Sequence, residues 1–411
     1  MSDYKGVEYL RRKLSAKTSR IRTRYEFYEM KNRVKDLNVS TPVQLRWLNE
    51  VLGWCAKGVD TLADRLVFRE FRNDNFGINE IIQVNNPDIL FDSAILAAMI
   101  SSCSFVYIYP DDDGSPRLQV VDGGNATGEI DPVTGLLTEG YAVLKRDSTT
   151  QNPLVEAYFV AGKTYYYDVA ARTTRVFTHA AEHPLLVPII YRPDSIRPFG
   201  HSRISRACMS LQNGAIRTLK RSEITAEFYS FPQKYATGVS QDKEAMDNWR
   251  MTIASMLYFD KDDDGDHPIL GQFQQQSATP HIEQLRMFAA AFAGEMGLTI
   301  EDLGFPQANP SSAEAIKASH NNLQLTARKA QRTFGSGFLN VGYLAACLRD
   351  DYAYKREVFY QTKATWEPIF EPDMAALGLI GDGAAKINAA VPGYFGKGNL
   401  RDLTGIEPDE G

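Results

Sequence analysis

Cysteine is scarce: Cys55, Cys103, Cys208 and Cys347 are the four in 411 residues, and they lie far apart. No Cys-x-x-Cys pair occurs, so neither a disulfide framework nor a zinc ribbon is signalled, and reduced, mostly buried thiols are expected. The phosphate-gripping and nucleophile signatures are missing too: there is no Gly-x-x-x-x-Gly-Lys loop, Gly-x-Gly-x-x-Gly turn or Gly-x-Ser-x-Gly elbow. That disfavours an enzyme of familiar type and leaves only one built from scattered carboxylates. One run, 93–110, is free of charge throughout. It is barely long enough to span a bilayer and is split by Ser101, Ser102 and Ser104, so it predicts a buried helix running into a strand at 105–109, with no membrane contact. The start, Met1-Ser2-Asp3-Tyr4-Lys5, lacks the charged-then-apolar pattern of an export signal, and cytoplasmic synthesis is expected. No internal repeat is visible.

What is present is ordinary globular composition, 44% apolar and 23% charged, in a chain long enough for two or more packed units. The net charge of −6 is unevenly spread. Residues 1–37 hold eleven Lys/Arg against five Asp/Glu, so the head is basic and the body acidic. A basic helix is either a solvated face or a contact for nucleic acid or an acidic partner. The acidic body argues against tight DNA binding, which rests on Lys and Arg neutralising phosphates.

The apolar spacing predicts a basic helix over 9–37. A second helix is predicted to open at Thr41-Pro42 and carry Leu45, Leu48, Val51, Leu52, Val59 and Leu62. From 107 to 191 short β-type runs follow, at 117–121, 140–146, 155–160, 164–169 and 174–178, separated by Gly, Asp, Asn and Pro turns: a mainly antiparallel sheet. After Pro198-Phe199-Gly200-His201-Ser202 a helix is expected from about 203 to 230, with Ile204, Cys208, Leu211, Ala215 and Leu219 on one face. A mixed insert over 233–280, with a β-like stretch at 256–259, precedes another helix at 282–296. The two helices are expected to run antiparallel and carry the insert at their far end. A last long helix is predicted over 312–349, opened by a capping box at Ser311 and Glu314 and bent at Gly335 and Gly337. Beyond Pro368, only short helices are expected.

Two strings look chemical. His179-Ala180-Ala181-Glu182-His183 matches a zinc-peptidase pattern, but that chemistry needs both histidines on one helical face, and Pro184 disfavours helix there. Asp260-Lys261-Asp262-Asp263-Asp264-Gly265 begins like a calcium loop, yet Gly271 stands where the bidentate Glu belongs. A turn explains it better, as it does Asp111-Asp112-Asp113-Gly114. No metal and no cofactor is expected.

The most telling stretch is Leu303-Gly304-Phe305-Pro306-Gln307-Ala308-Asn309-Pro310 followed by Ser311-Ser312-Ala313-Glu314-Ala315-Ile316, a short stiff loop between two helices with nothing resembling reaction chemistry in it. Together with Pro198-Phe199-Gly200-His201-Ser202 and the helix ending near Phe231-Pro232-Gln233, this succession resembles the portal proteins of tailed double-stranded DNA bacteriophages. The resemblance covers about 198–350.

It implies an α+β fold of portal architecture: a wing over 1–75 (helical, with the basic start) and 76–200 (β-rich). Stem helices fall at 201–231 and 281–298, a small α/β clip at 232–280, a tunnel loop at 299–311 and a long wing helix at 312–350. A small crown region, if any, falls in 351–411. It implies a ring, twelve copies by expectation, at one capsid vertex of the virion, assembled in the host cytoplasm. Double-stranded DNA would pass through, and the major capsid protein, terminase large subunit, head-tail adaptor and scaffold would be partners. Phe305, Gln307 and Asn309 would then face DNA, and Asp262, Asp263, Asp264, Gln274 and Gln275 would meet terminase or adaptor. Arg203, Arg206, Arg217, Lys220 and Arg221 would form a basic cluster on the first stem helix, against capsid protein or phosphates, unless they are merely a solvated face. Short loops and rigid rods suit a closed heterologous ring, and a polar, acidic bore lets DNA slide. Competing readings are another phage structural protein, or a nucleic-acid enzyme with carboxylate-bound metal.

Overall fold

The computed structural model describes residues 4–35, 47–230, 234–237, 269–272, 277–306, 319–370 and 374–406. The fold is α+β, in two compact units. The first comprises Met1–Asn32, Gly53–Met209 and Ala293–Gly411, the second Arg33–Leu52 and Ser210–Phe292.

The first unit opens with α1 (Val7–Tyr28), α2 (Trp54–Ala63), β1 (Phe68–Arg72), α3 (Ile78–Val84) and α4 (Pro87–Ser101). The uncharged run becomes α4 followed directly by β2 (Cys103–Pro110), whose first six residues are all buried. A strand buries without alternation when both its faces are covered. Then come β3 (Pro116–Asp122), β4 (Ala126–Ile130), β5 (Leu137–Arg146), β6 (Pro153–Val160), β7 (Lys163–Asp168), β8 (Thr173–Thr178) and β9 (Leu186–Ile190). They form two antiparallel sheets, β3-β2-β9 and the meander β4-β5-β6-β7-β8. The five β-type runs read from the sequence are β3, β5, β6, β7 and β8. The short β4 and β9 go beyond the strands the sequence pattern signals, because Ala126-Thr127-Gly128 and Pro188 break the usual strand composition.

The basic helix is shorter than the sequence pattern suggested. It ends at Tyr28, with the Glu29 N–H on Tyr25 O, and Met30 turns left-handed at φ 58°. The second helix likewise does not reach back through 47–53. It starts at Trp54 behind Gly53, while Trp47 and Val51 are exposed, so the apparent period at 48–52 is not a buried face. Thr41-Pro42 lies outside the described residues.

The chain continues with α5 (Arg206–Ser230), β10 (Lys234–Thr237), β11 (Ile269–Gln272), α6 (Thr279–Met296), α7 (Asn321–Arg349), β12 (Lys363–Trp366), α8 (Met374–Ala390) and α9 (Lys397–Thr404). α5 begins three residues later than expected. The 17-residue α8 exceeds the short tail helices expected, and β12, paired antiparallel with β1, is a strand the sequence pattern does not signal. α7 packs on β9, β2 and β12. Its helical run is unbroken through Gly335 and Gly337. A Cβ at Gly335 would meet that of Ala364 at 2.9 Å, and one at Gly337 would meet Ile189 Cδ1 at 3.0 Å. These glycines thus let strands approach the helix. The start expected for this helix, 312–318, and the β-like stretch at 256–259 lie outside the described residues.

The core of the first unit is aromatic. Phe68 stacks on Phe91 at 3.9 Å between centroids, Phe338 meets Phe91 edge-on at 4.5 Å, and Trp366 meets Phe68 edge-on at 5.4 Å. These rings join β1, α4, α7 and β12, segments up to 298 residues apart in sequence.

Candidate functional site

The candidate loop is mounted on a stapled turn. Gly297, left-handed at φ 65°, ends α6, and Leu298 N–H returns to Ala293 O at 2.8 Å. This glycine C-cap satisfies carbonyls the helix leaves open. Asp302 Oδ2 then accepts from Thr299 N (2.8 Å) and Oγ1 (2.9 Å), Thr299 Oγ1 accepts from Asp302 N (3.2 Å), and Gly304 turns left-handed at φ 88°. Phe305 is half-buried, its N–H 3.3 Å from Ile300 O. Thr299-Ile300-Glu301-Asp302 is a Thr-x-x-Asp capping pattern, the local signal in the sequence for this turn. Gln307 and Asn309 lie outside the described residues.

In the second unit α5 and α6 run antiparallel, with pairings that descend along α6 as they climb α5. The Phe288 ring lies 2.9 Å from where a Gly214 Cβ would stand, Thr218 Oγ1 donates to Gln284 Oε1 at 3.1 Å, and Thr225 Oγ1 meets His281 Nε2 at 3.1 Å. At the end of this pair β10 and β11 form an antiparallel ladder, Lys234 opposite Gln272 and Thr237 opposite Ile269. Asp262, Asp263, Asp264, Gln274 and Gln275 lie outside the described residues.

The proposed basic cluster is not one surface. Arg203 precedes α5 and is buried. Its Nε donates to Gly58 O at 2.6 Å, Nη2 to Met296 O at 2.9 Å, and Nη1 to the Tyr191 hydroxyl at 3.4 Å. It joins α2, the end of α6 and the segment after β9, which is a structural duty. Lys220 is buried as well, Arg217 is half-buried, and only Arg206 and Arg221 are exposed.

The 191–203 segment explains the Pro-Phe-Gly-His-Ser string. Gly200 is left-handed (φ 73°), and a Cβ there would lie 2.1 Å from Tyr191 O, so only glycine fits. Ser202 Oγ donates to Ile100 O at 2.6 Å and Arg203 N to Met99 O at 2.8 Å, satisfying the open carbonyls at the end of α4.

The basic head finds its acidic partner within its own unit. α1 lies on the meander sheet, Leu10 and Leu14 clustering with Tyr141 and Val143. Arg11 pairs with Glu156, and Lys5 and Lys13 with Glu129 at 3.1 and 2.6 Å. The buried Glu139 carboxylate accepts from the Lys5 and Gly6 amides (3.0 and 3.1 Å) and from the Tyr158 hydroxyl (2.9 Å), capping α1 from the sheet.

His179 and His183 sit in the loop between β8 and β9, with no helix to align them. Burial lowers the His179 imidazole to about 4, and neither ring nitrogen has a hydrogen-bond partner among the described residues. His183 is also lowered by burial and meets the Tyr343 ring edge-on. No group of three metal-ligating side chains occurs among the described residues, and no described helix is long and apolar enough to cross a membrane. The four thiols are buried, which pushes each above its ordinary value, Cys347 to about 11.

The family model described as phage portal protein, SPP1 Gp6-like, matches residues 8–376. The portal protein of Mycobacterium phage D29 is 25% identical over 347 residues, 77% of this chain and 69% of that protein. The portal protein of Mycobacterium phage L5 is 24% identical over 341 residues, 76% and 68%. Among solved structures, similar chains occur in the neck of an empty gene transfer agent particle computed with C6 symmetry (TM-score 0.49, 14% identity, 87% of this chain and 91% of that one). Another lies in the neck of the native particle computed with C12 symmetry (TM-score 0.46, 14% identity, 87% and 90%).

Proposed function

Because the chain belongs to the SPP1 Gp6-like family of phage portal proteins, we propose that about twelve copies close into a ring at one vertex of a capsid and that double-stranded DNA passes through its bore during packaging and ejection. The observation that carries this reading is the antiparallel α5/α6 pair with the β10–β11 ladder at its end. Such a rod presents one stiff face to each neighbour, which a closed heterologous ring requires. In this reading α5 and α6 are stem helices and 232–280 is the clip. Asp262, Asp263, Asp264, Gln274 and Gln275 in it offer carboxylate and amide groups to the terminase large subunit and then to the head-tail adaptor. The 299–311 loop faces DNA through Phe305, Gln307 and Asn309, held at its root by the Thr299–Asp302 staple. Arg206 and Arg221 are the exposed members of the stem's basic set, available to the major capsid protein or scaffold.

The protein is a conduit without catalysis of its own. The missing phosphate loop supports a separate ATPase as the source of translocation energy. Mass measurement and two-dimensional class averages of the purified chain in moderate salt test the proposal. Twelve copies of the 46.0 kDa chain give about 550 kDa, and a central hole as wide as B-form DNA is expected. A monomer or dimer, including after addition of capsid protein, would overturn it.

A further inference from the structure

Beside α1 lies a half-enclosed cavity of about 290 Å³ whose lining holds five cations, Lys13, Lys17, Arg20, Arg24 and Arg197, and no carboxylate. Lys13 shares the Glu129 carboxylate with Lys5. Among the described residues the side chains of the others bond only to neutral groups; the Asp194 carboxylate near Arg197 is taken up by the Arg197 backbone N–H at 2.6 Å and by His201 Nε2. Lys17 Nζ donates to Ala126 O at 2.8 Å and sits 5.4 Å and 5.8 Å from the Phe105 and Phe199 ring centres. Arg24 Nη1 donates to Ser101 O at 3.4 Å, and Arg197 Nη1 reaches only His201 Nδ1 at 3.5 Å. Arg20 makes no hydrogen bond or ion pair among the described residues. The nearby carboxylate of Asp122 is turned to its own loop, accepting from Gly124 N at 2.6 Å and Asn125 Nδ2 at 2.5 Å.

The open carbonyls at the end of α4 attract cations, but a helix C-terminus amounts to about half an elementary charge, too little for four. The cations crowd one another. Lys17 and Arg24 are both held below their ordinary values, chiefly by burial; cationic neighbours, Arg20 among them, add to this in each case, while Cys103 and Asp122 work against it at Lys17.

The geometry points to a bound oxyanion of the phosphate class in this cavity, facing Lys17, Arg20, Arg24 and Arg197. A space of this size takes one such group with a few waters, each occupying about 30 Å³ of liquid volume, and not a duplex. The anion ties α1 to the 197–200 turn and to the end of α4, and guanidinium groups suit it because their paired N–H donors match its oxygens. It comes either as free phosphate or as the terminal phosphate of a nucleic-acid strand.

The test is thermal unfolding of the full chain in sodium phosphate and in sodium chloride at equal ionic strength and pH, for wild type, the exposed-rim variant R20Q/R197Q, and K17M. Phosphate raises the midpoint of wild type beyond chloride, and R20Q/R197Q needs roughly tenfold more phosphate for half the effect. A short 5′-phosphorylated oligonucleotide and its unphosphorylated twin separate the sources. Stabilisation by the phosphorylated form assigns a strand terminus, and stabilisation by phosphate alone assigns the free ion. A shift in phosphate no larger than in chloride, or one equal in wild type and R20Q/R197Q, overturns the site. The rim variant decides even where K17M does not fold.

Discussion

Burial of His179 and of Arg203 has consequences that can be measured. His179 is held neutral, its folded value about 4 against an ordinary 6.5. Between those values the unfolded chain binds a proton that the folded chain does not, so stability falls as the pH drops from 6.5 and levels off below 4. The loss is on the order of 3 kcal/mol, and chemical denaturation of His179→Phe across that range is expected to lack this part of the decline. Arg203 offers three donors to acceptors buried around it. Arg203→Met leaves Met296 O, at the end of α6, without its donor and strips the second hydrogen bond from Gly58 O, and a loss of about 3 kcal/mol is expected in urea unfolding. Arg203→Lys is expected to recover only a fraction of this, because one ammonium cannot span the same fork.

At the scale of elements, α1 is held to the sheet by carboxylates more than by its own ends, since Gly6 gives no side-chain cap. Glu139→Ala removes the acceptor for the Lys5 and Gly6 amides and is expected to cost about 2 kcal/mol. Hydrogen exchange checks it: the amides of the first α1 turn should exchange faster while those of α7 stay protected. α7 and α3 meet at Gly342, where an added Cβ would lie 2.4 Å from Ile78 Cγ2. Gly342→Ala is therefore expected to destabilise by about 1–3 kcal/mol despite the better helix propensity of alanine, a sign that thermal unfolding reads directly.

At the scale of the whole molecule, the charge map separates this chain from a DNA-gripping protein. The net charge is −6, and within the basic head Lys5, Arg11 and Lys13 are paired with Glu129 and Glu156 of the same unit. At about 0.15 M salt the purified chain is expected to retain no duplex DNA in a gel-shift or anisotropy titration, because few phosphates would be neutralised. Tight retention with a steep salt dependence would contradict a bore through which DNA slides. Much of this scale was legible in advance: the uncharged run at 93–110 gave α4 and β2, and the Gly/Pro-punctuated runs gave most of the meander. The basic head showed its charge but not its partner, since Glu139 and Glu156 read as ordinary strand positions until β5 and β6 pair beneath α1. The basic set 203–221 failed as a cluster for a related reason, because helical spacing sorts residues by angle and says nothing of Arg203, which lies outside the helix.

The sequence by itself determined the order of most helices and strands, and through that order the resemblance to phage portal proteins. These depend on neighbouring residues alone: backbone propensity, caps and turn chemistry act within a few positions. Which charges face one another, which arginine is a buried pin, and the four cations gathered around one cavity beside Phe199 were decided only by the tertiary structure. Lys17, Arg20 and Arg24 share a face of α1 by local spacing, but their meeting with Arg197, like Lys17 with Ala126 or Arg203 with Gly58, joins groups a hundred or more residues apart, and no local pattern carries that information.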